Sequence, residues 1–166
     1  MRPSKDMEPA VVREYAATTD ASGLRACFVE LQEFERGIDP ALPEGVGVAD
    51  VYLERMLDRC ATWDGTVFVA LARERVVGFV CVWARVPPEP DEPPAPYAFV
   101  SDLIVVEAFR SRGVGRALLA EAERCARRRG AMTLKLDVMA GNPAALRLYE
   151  HVGFTRRRIE MTKALR

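Results

Sequence analysis

Leu103-Ile104-Val105-Val106-Glu107-Ala108-Phe109-Arg110-Ser111-Arg112-Gly113-Val114-Gly115-Arg116 is the stretch on which the reading of the fold turns. Its aliphatic run reads as a buried strand, and two glycines then open a helical pattern. The N–H groups at a helix N-terminus have no intrahelical partner and carry partial positive charge. An anion placed at this junction is therefore both hydrogen-bonded and electrostatically favoured. Gly113 and Gly115 lack a Cβ and let the anion approach the backbone, while Arg110, Arg112 and Arg116 offer charge-assisted bonds to a pyrophosphate. Taken alone, Gly113-Val114-Gly115 fits a tight strand-to-helix turn equally well.

Two other phosphate loops drop out by counting. A Walker loop needs Gly-Lys followed by Ser or Thr, and the chain has no such tripeptide. The dinucleotide fingerprint needs a third glycine three residues after the second, where Leu118 stands.

Outward from the motif, residues 97–106 read as its strand and residues 113–129 as its helix, with Val114, Leu118, Ala122 and Cys125 on one stripe. Arg127, Arg128 and Arg129 end that helix, where cations oppose the macrodipole, so they read as capping rather than as a nucleic-acid patch. Residues 132–138 follow as a strand, 142–151 as a short helix and 154–161 as a closing strand. Before the motif come a strand at 10–14, capping side chains at Thr18, Thr19, Asp20 and Ser22, and a helix carrying Leu24, Cys27, Phe28, Leu31 and Phe34. A loop at 38–47, a helix at 50–60 and a hairpin of strands at 66–72 and 76–86 complete that half. Residues 87–96 hold six prolines and read as a solvated loop within one domain, not as a boundary.

The chain of 166 residues suits a single domain over residues 1–166, with residues 1–9 expected as a flexible tail. Lys plus Arg and Asp plus Glu each number 24, so no net field draws the molecule to nucleic acid or an anionic membrane. Cys27, Cys60, Cys81 and Cys125 form no CxxC pair and His151 is the sole histidine, which leaves too few ligands for a metal site. With no signal peptide and no apolar run of spanning length, the expectation is a cytoplasmic protein with reduced thiols and no membrane partner.

Arg110-Ser111-Arg112-Gly113-Val114-Gly115 resembles the Gln/Arg-x-x-Gly-x-Gly/Ala loop of the GNAT N-acetyltransferases. Asn142-Pro143-Ala144-Ala145-Leu146-Arg147-Leu148-Tyr149-Glu150-His151-Val152-Gly153-Phe154 is similar to that family's second segment, and it follows at the expected distance. The resemblance covers residues 97–163, and the order of the earlier elements agrees with the family's variable, amine-binding half. Glu107 departs from it, because many members place proline there. The implied fold is α/β (α+β): a mixed, mostly antiparallel central sheet of six to seven strands with a splayed central pair and helices on both faces.

The resemblance implies acetyl-CoA as cosubstrate, with no metal. Leu103, Ile104 and Val105 match the splayed-strand positions that pair with pantetheine, and Ser111, Arg112, Gly113, Val114, Gly115 and Arg116 match the pyrophosphate loop. A neutral amine attacks the thioester directly, a strand N–H stabilises the oxyanion, and Tyr149 matches the acid that protonates the CoA thiolate. Asn142 either contacts the cosubstrate or caps its helix. Asp102 is the leading candidate for the base that deprotonates the ammonium. Glu30, Glu33 and Glu35 are the alternatives, several of them expected on a solvated helix face. His151 lies two residues from Tyr149 on a helix and so points away from it. The acceptor is read as the amine of a small metabolite, with a protein amine or a silent acyl-CoA sensor as alternatives. A second copy of the chain is a candidate partner, since homodimers are common in the family.

Overall fold

The computed structural model describes residues 9–165, so the expected tail lies, but for Pro9, outside the described residues. The elements run β1 (Val11–Glu14), α1 (Ala17–Ile38), α2 (Gly45–Thr62), β2 (Thr66–Ala72), β3 (Arg75–Val86), β4 (Tyr97–Val105), α3 (Val114–Arg128), β5 (Leu134–Leu136) and α4 (Pro143–His151). A 3-10 turn at Glu107–Phe109 links β4 to α3. The strands stand side by side in chain order, antiparallel from β1 to β4 and parallel between β4 and β5.

The mixed, mostly antiparallel sheet agrees with expectation, but its strand number does not. Among the described residues there are five strands, not six to seven, and β5 is an edge rather than a central strand. Residues 154–161, expected as the closing strand, form no ladder. β5 is three residues long and offers few bonds along its outer edge. Arg156, Arg157 and Arg158 favour water, and Ile159 and Met161 stay exposed with no core to enter. Phe154 does pack, its ring 5.8 Å from that of Tyr149.

The sheet separates two cores. Leu118, Leu119, Ala122 and Cys125 of α3 pack on Phe68, Val80, Val82, Ala98 and Val100. On the other face Leu24, Cys27 and Phe28 of α1 and Leu53, Met56 and Cys60 of α2 cover Val67, Val69, Phe79, Cys81 and Ile104.

Two local expectations change. Thr18, Thr19 and Asp20 lie inside the first turn of α1, where Asp20 reaches back to accept the Ala16 N–H at 2.8 Å and the Arg13 guanidinium at 2.7 and 2.9 Å. Gly45, expected in the loop at 38–47, instead starts α2. A Cβ there would come within 3.0 Å of the Val29 carbonyl oxygen, so its absence lets α2 approach α1.

The site is shaped by an irregularity in β4. Cys81 of β3 faces Asp102 but the next residue, Val82, faces Val100, so Ser101 is one residue too many for the ladder. Such a bulge reverses which face the following side chains meet. Ala98 and Val100 belong to the α3 core, whereas Ile104 belongs to the α1 and α2 core. Asp102 is thereby turned towards α1 and α2. β5 pairs with β4 only as far as Val100, and β4 runs on to Val105 with β3 alone, leaving a splay.

Candidate active site

The loop after β4 is tied at its base and open at its tip. The Glu107 N–H donates to Glu30 Oε1 at 2.7 Å, a bond that a proline at this position cannot make. Arg110 turns back on the strand: its Nε–H donates to the Val105 carbonyl at 2.9 Å and its guanidinium lies 5.2 Å from the Phe34 ring centroid. Arg110 therefore anchors the loop, while the side chains of Arg112 and Arg116 are exposed. Ser111 and Gly113 both have left-handed backbone, with φ of 59° and 80°. Left-handed residues alternating with ordinary ones curl successive N–H groups around an anion-sized hollow. The first bond of α3 runs from the Ala117 N–H to the Gly113 carbonyl at 3.0 Å, so the N–H groups of Val114, Gly115 and Arg116 precede it.

The two motif glycines differ. A Cβ on Gly113 would meet nothing within 4 Å, and a pocket of about 200 Å³ lined by Phe109, Arg112 and Val114 adjoins it. A Cβ on Gly115 would sit 3.1 Å from Leu148 Cδ2, so Gly115 serves the packing of α4 against α3. Asn142 caps α4, its Oδ1 accepting the Ala145 N–H at 3.1 Å ahead of Pro143. Leu103, Ile104 and Val105 lie on the part of β4 beyond its pairing with β5.

Beside this splay the fold gathers ionisable groups. Asp102 is 6% exposed. It accepts the Tyr52 hydroxyl at 2.7 Å and the Ser101 hydroxyl at 2.7 Å. Burial raises its pKa above the usual carboxylate value, against those two hydrogen bonds. The half-buried Glu35 carboxyl is also pushed up, by burial first and by the charge of Asp102 second. The other α1 candidates are committed elsewhere. Glu30 holds the Glu107 N–H and Arg110, and Glu33 holds the Gly45 N–H and Arg36, which lower its pKa.

Tyr149 completes the group from α4. Burial, with Glu35 and Asp102 nearby, raises its phenol to about 12, so it stays protonated across the physiological range. Among the described residues its hydroxyl makes no hydrogen bond. His151 is exposed, and all four cysteines are buried free thiols, with Cys27 raised to about 12 chiefly by burial. No group of three metal-ligating side chains occurs among the described residues, and no helix there is long and apolar enough to cross a membrane.

Sequence reasoning missed Tyr52. It stands on α2, 50 residues from Asp102, and only the bulge at Ser101 brings the two together.

The sequence matches the acetyltransferase (GNAT) family over residues 30–154. This chain belongs to the GNAT acetyltransferase family. Within that family it is 48% identical over 60 residues to acetyltransferase Atu2258 of Agrobacterium fabrum, 36% of this chain and 42% of that protein. It is 35% identical over 83 residues to the uncharacterized N-acetyltransferase YycN of Bacillus subtilis, 50% of this chain and 53% of that one. It thus spans about half the length of the curated relatives it matches. GNAT folds of similar shape include the aminoglycoside N-acetyltransferase AAC(6')-Iy in complex with CoA, with a TM-score of 0.70, 19% identity and coverage of 100% of this chain and 99% of that one. A mutant of the BH1408 protein from Bacillus halodurans superposes with a TM-score of 0.74 at 21% identity, covering 93% and 99%.

Proposed function

We propose that this chain transfers the acetyl group of acetyl-CoA directly to the primary amine of a small acceptor, with Tyr149 as acid and the Asp102–Glu35 pair as proton acceptor. The observation that carries this reading is the protonated phenol of Tyr149, within electrostatic reach of two carboxyls, Asp102 and Glu35, whose own pKa values are raised. The residues present suit acetyl-CoA. The hollow at Ser111–Gly113 has left-handed backbone and open space at Gly113 for a pyrophosphate, the edge of β4 at Leu103–Val105 lies beyond its pairing with β5 and offers backbone groups to amides, and Asn142 stands at the start of α4. The cosubstrate supplies the activated acyl group.

An ammonium cannot attack a carbonyl until it loses a proton. A carboxyl with a raised pKa is a stronger base than an ordinary one and is better matched to that task. Tyr52 and Ser101 fix the direction of the Asp102 oxygens. Tyr149 holds the proton that the departing thiolate takes up, and burial keeps it there until needed. Rate enhancement rests mainly on positioning, since no acyl-enzyme intermediate is required.

The test is thiol release from acetyl-CoA by the purified protein with a panel of small primary amines. Release that depends on both amine and protein, with an N-acetylated product, is expected. Binding of acetyl-CoA without release in the presence of any amine would overturn the reading in favour of an acyl-CoA sensor.

A further inference from the structure

Tyr52 borders a second feature. On α2, Tyr52, Arg55, Met56 and Arg59 recur at helical spacing and line one side of the helix, and Trp83 of β3 stands against them. These five side chains line an open pocket of about 160 Å³. Its aromatic wall is fixed: Trp83 stacks on Phe99 at 5.4 Å, meets Trp63 edge-on at 4.8 Å, and carries the Arg59 guanidinium 5.7 Å from its ring centroid. Tyr52 is itself held by stacking on Phe28 at 4.4 Å. Arg55 has no ion-pair or hydrogen-bond partner among the described residues, and no carboxylate lines the pocket. The buried indole N–H of Trp83 also lacks an acceptor. Two cations beside an apolar floor, with no anion of the protein's own, suit a ligand that carries an anion on an apolar stem.

We propose that this pocket is the anion subsite of the acceptor and takes a carboxylate borne on the same molecule as the amine, so that the acceptor is an amino acid or a derivative keeping both groups. The proposal rests on the reading of Asp102 and Tyr149 as the transfer site. The link between the two sites is Tyr52, whose ring walls the pocket and whose hydroxyl donates to Asp102 at 2.7 Å. An ammonium drawn to Asp102 and Glu35 and a carboxylate drawn to Arg55 and Arg59 orient the acceptor end for end. At about 160 Å³ the pocket holds a substituent and not a whole drug-sized ligand. A polycationic amine would bring positive charge against Arg55 and Arg59, which disfavours an aminoglycoside as acceptor for this chain.

The experiment compares leucine with 3-methylbutylamine and phenylalanine with 2-phenylethylamine, pairs that differ only by the carboxylate. Binding of their N-acetyl products to the CoA-bound protein is read by calorimetry, and acetylation by thiol release. The carboxylate-bearing member of at least one pair is expected to bind about tenfold more tightly or better. Arg55→Ala and Arg59→Ala, both at exposed helix positions, are each expected to erase most of that preference while CoA affinity stays unchanged. Equal binding within both pairs, or a preference that survives both substitutions, overturns the subsite. A carboxylate preference in binding with no acetylation of any amine keeps the subsite and removes the transfer reading. Equal acetylation of both members of each pair keeps transfer and removes the subsite.

Discussion

Replacing Asp102 by asparagine separates what this carboxyl contributes to catalysis from what it costs the fold. The side chain is 6% exposed and its pKa is raised chiefly by burial. In the unfolded chain it titrates near 3.9. Between that pH and the higher folded value, the native state retains a proton that the unfolded state has lost. The Asp102 contribution to native stability therefore falls as pH rises through this window, by up to about 1.4 kcal/mol per pH unit, and levels off above it. An amide does not titrate. It can still accept the Tyr52 hydroxyl and can offer an N–H to Ser101, so the Asp102→Asn variant loses only the charge-assisted part of two hydrogen bonds, about 1 kcal/mol each. Urea unfolding at pH 4.5 and 7.5 should show the variant gaining on the parent as pH rises, while turnover falls about 10²-fold. A stability difference that is constant with pH, or one that moves against the variant, would refute the reasoning.

Further outcomes follow from the same geometry. Tyr52→Phe keeps the ring stacked on Phe28 but removes a donor to Asp102, so the acidic limb of kcat/KM should move to higher pH at a stability loss of about 1–2 kcal/mol. An unmoved limb would leave Tyr52 a packing residue only. Gly113→Val should weaken acetyl-CoA binding at least tenfold in calorimetry. Its left-handed backbone also predicts a stability loss of about 1–2 kcal/mol in urea melts. Asp20→Ala removes a buried carboxylate that Arg13 holds below its usual range, and should cost about 3 kcal/mol at pH 7. The contribution of Asp20 is present above about pH 3.9 and is lost as pH falls, so the parent's acid-side decline should be shallower in this variant.

The second half of the chain was largely legible because its signals are local. Leu103 to Arg116 contains the strand, the turn and the helix start in one window, and Asn142 and Pro143 show the α4 cap directly. The closing strand was misread for the opposite reason. Alternating Ile159 and Met161 suggest a strand, but a strand exists only if an edge accepts it, and β5 is too short to do so. Gly45 reads as part of the loop at 38–47 because spacing cannot show that Val29 lies where its Cβ would be. At the proposed site, Tyr149 and Asp102 are nominated by the sequence, whereas the choice among Glu30, Glu33 and Glu35 rests on which of them hold other partners. Tyr52, Arg55, Arg59 and Trp83 carried no motif. Their meeting depends on α2 crossing β3 and on the bulge at Ser101, both long-range facts.

Tyr149→Phe tests the central claim most directly, because the hydroxyl has no hydrogen bond among the described residues to lose. The variant should fold with stability within about 0.5 kcal/mol of the parent and bind acetyl-CoA equally well, while kcat for amine acetylation falls about 10²-fold. Unchanged kcat with acetyl-CoA still bound would contradict the account, and the proton for the leaving thiolate would have to come from another group.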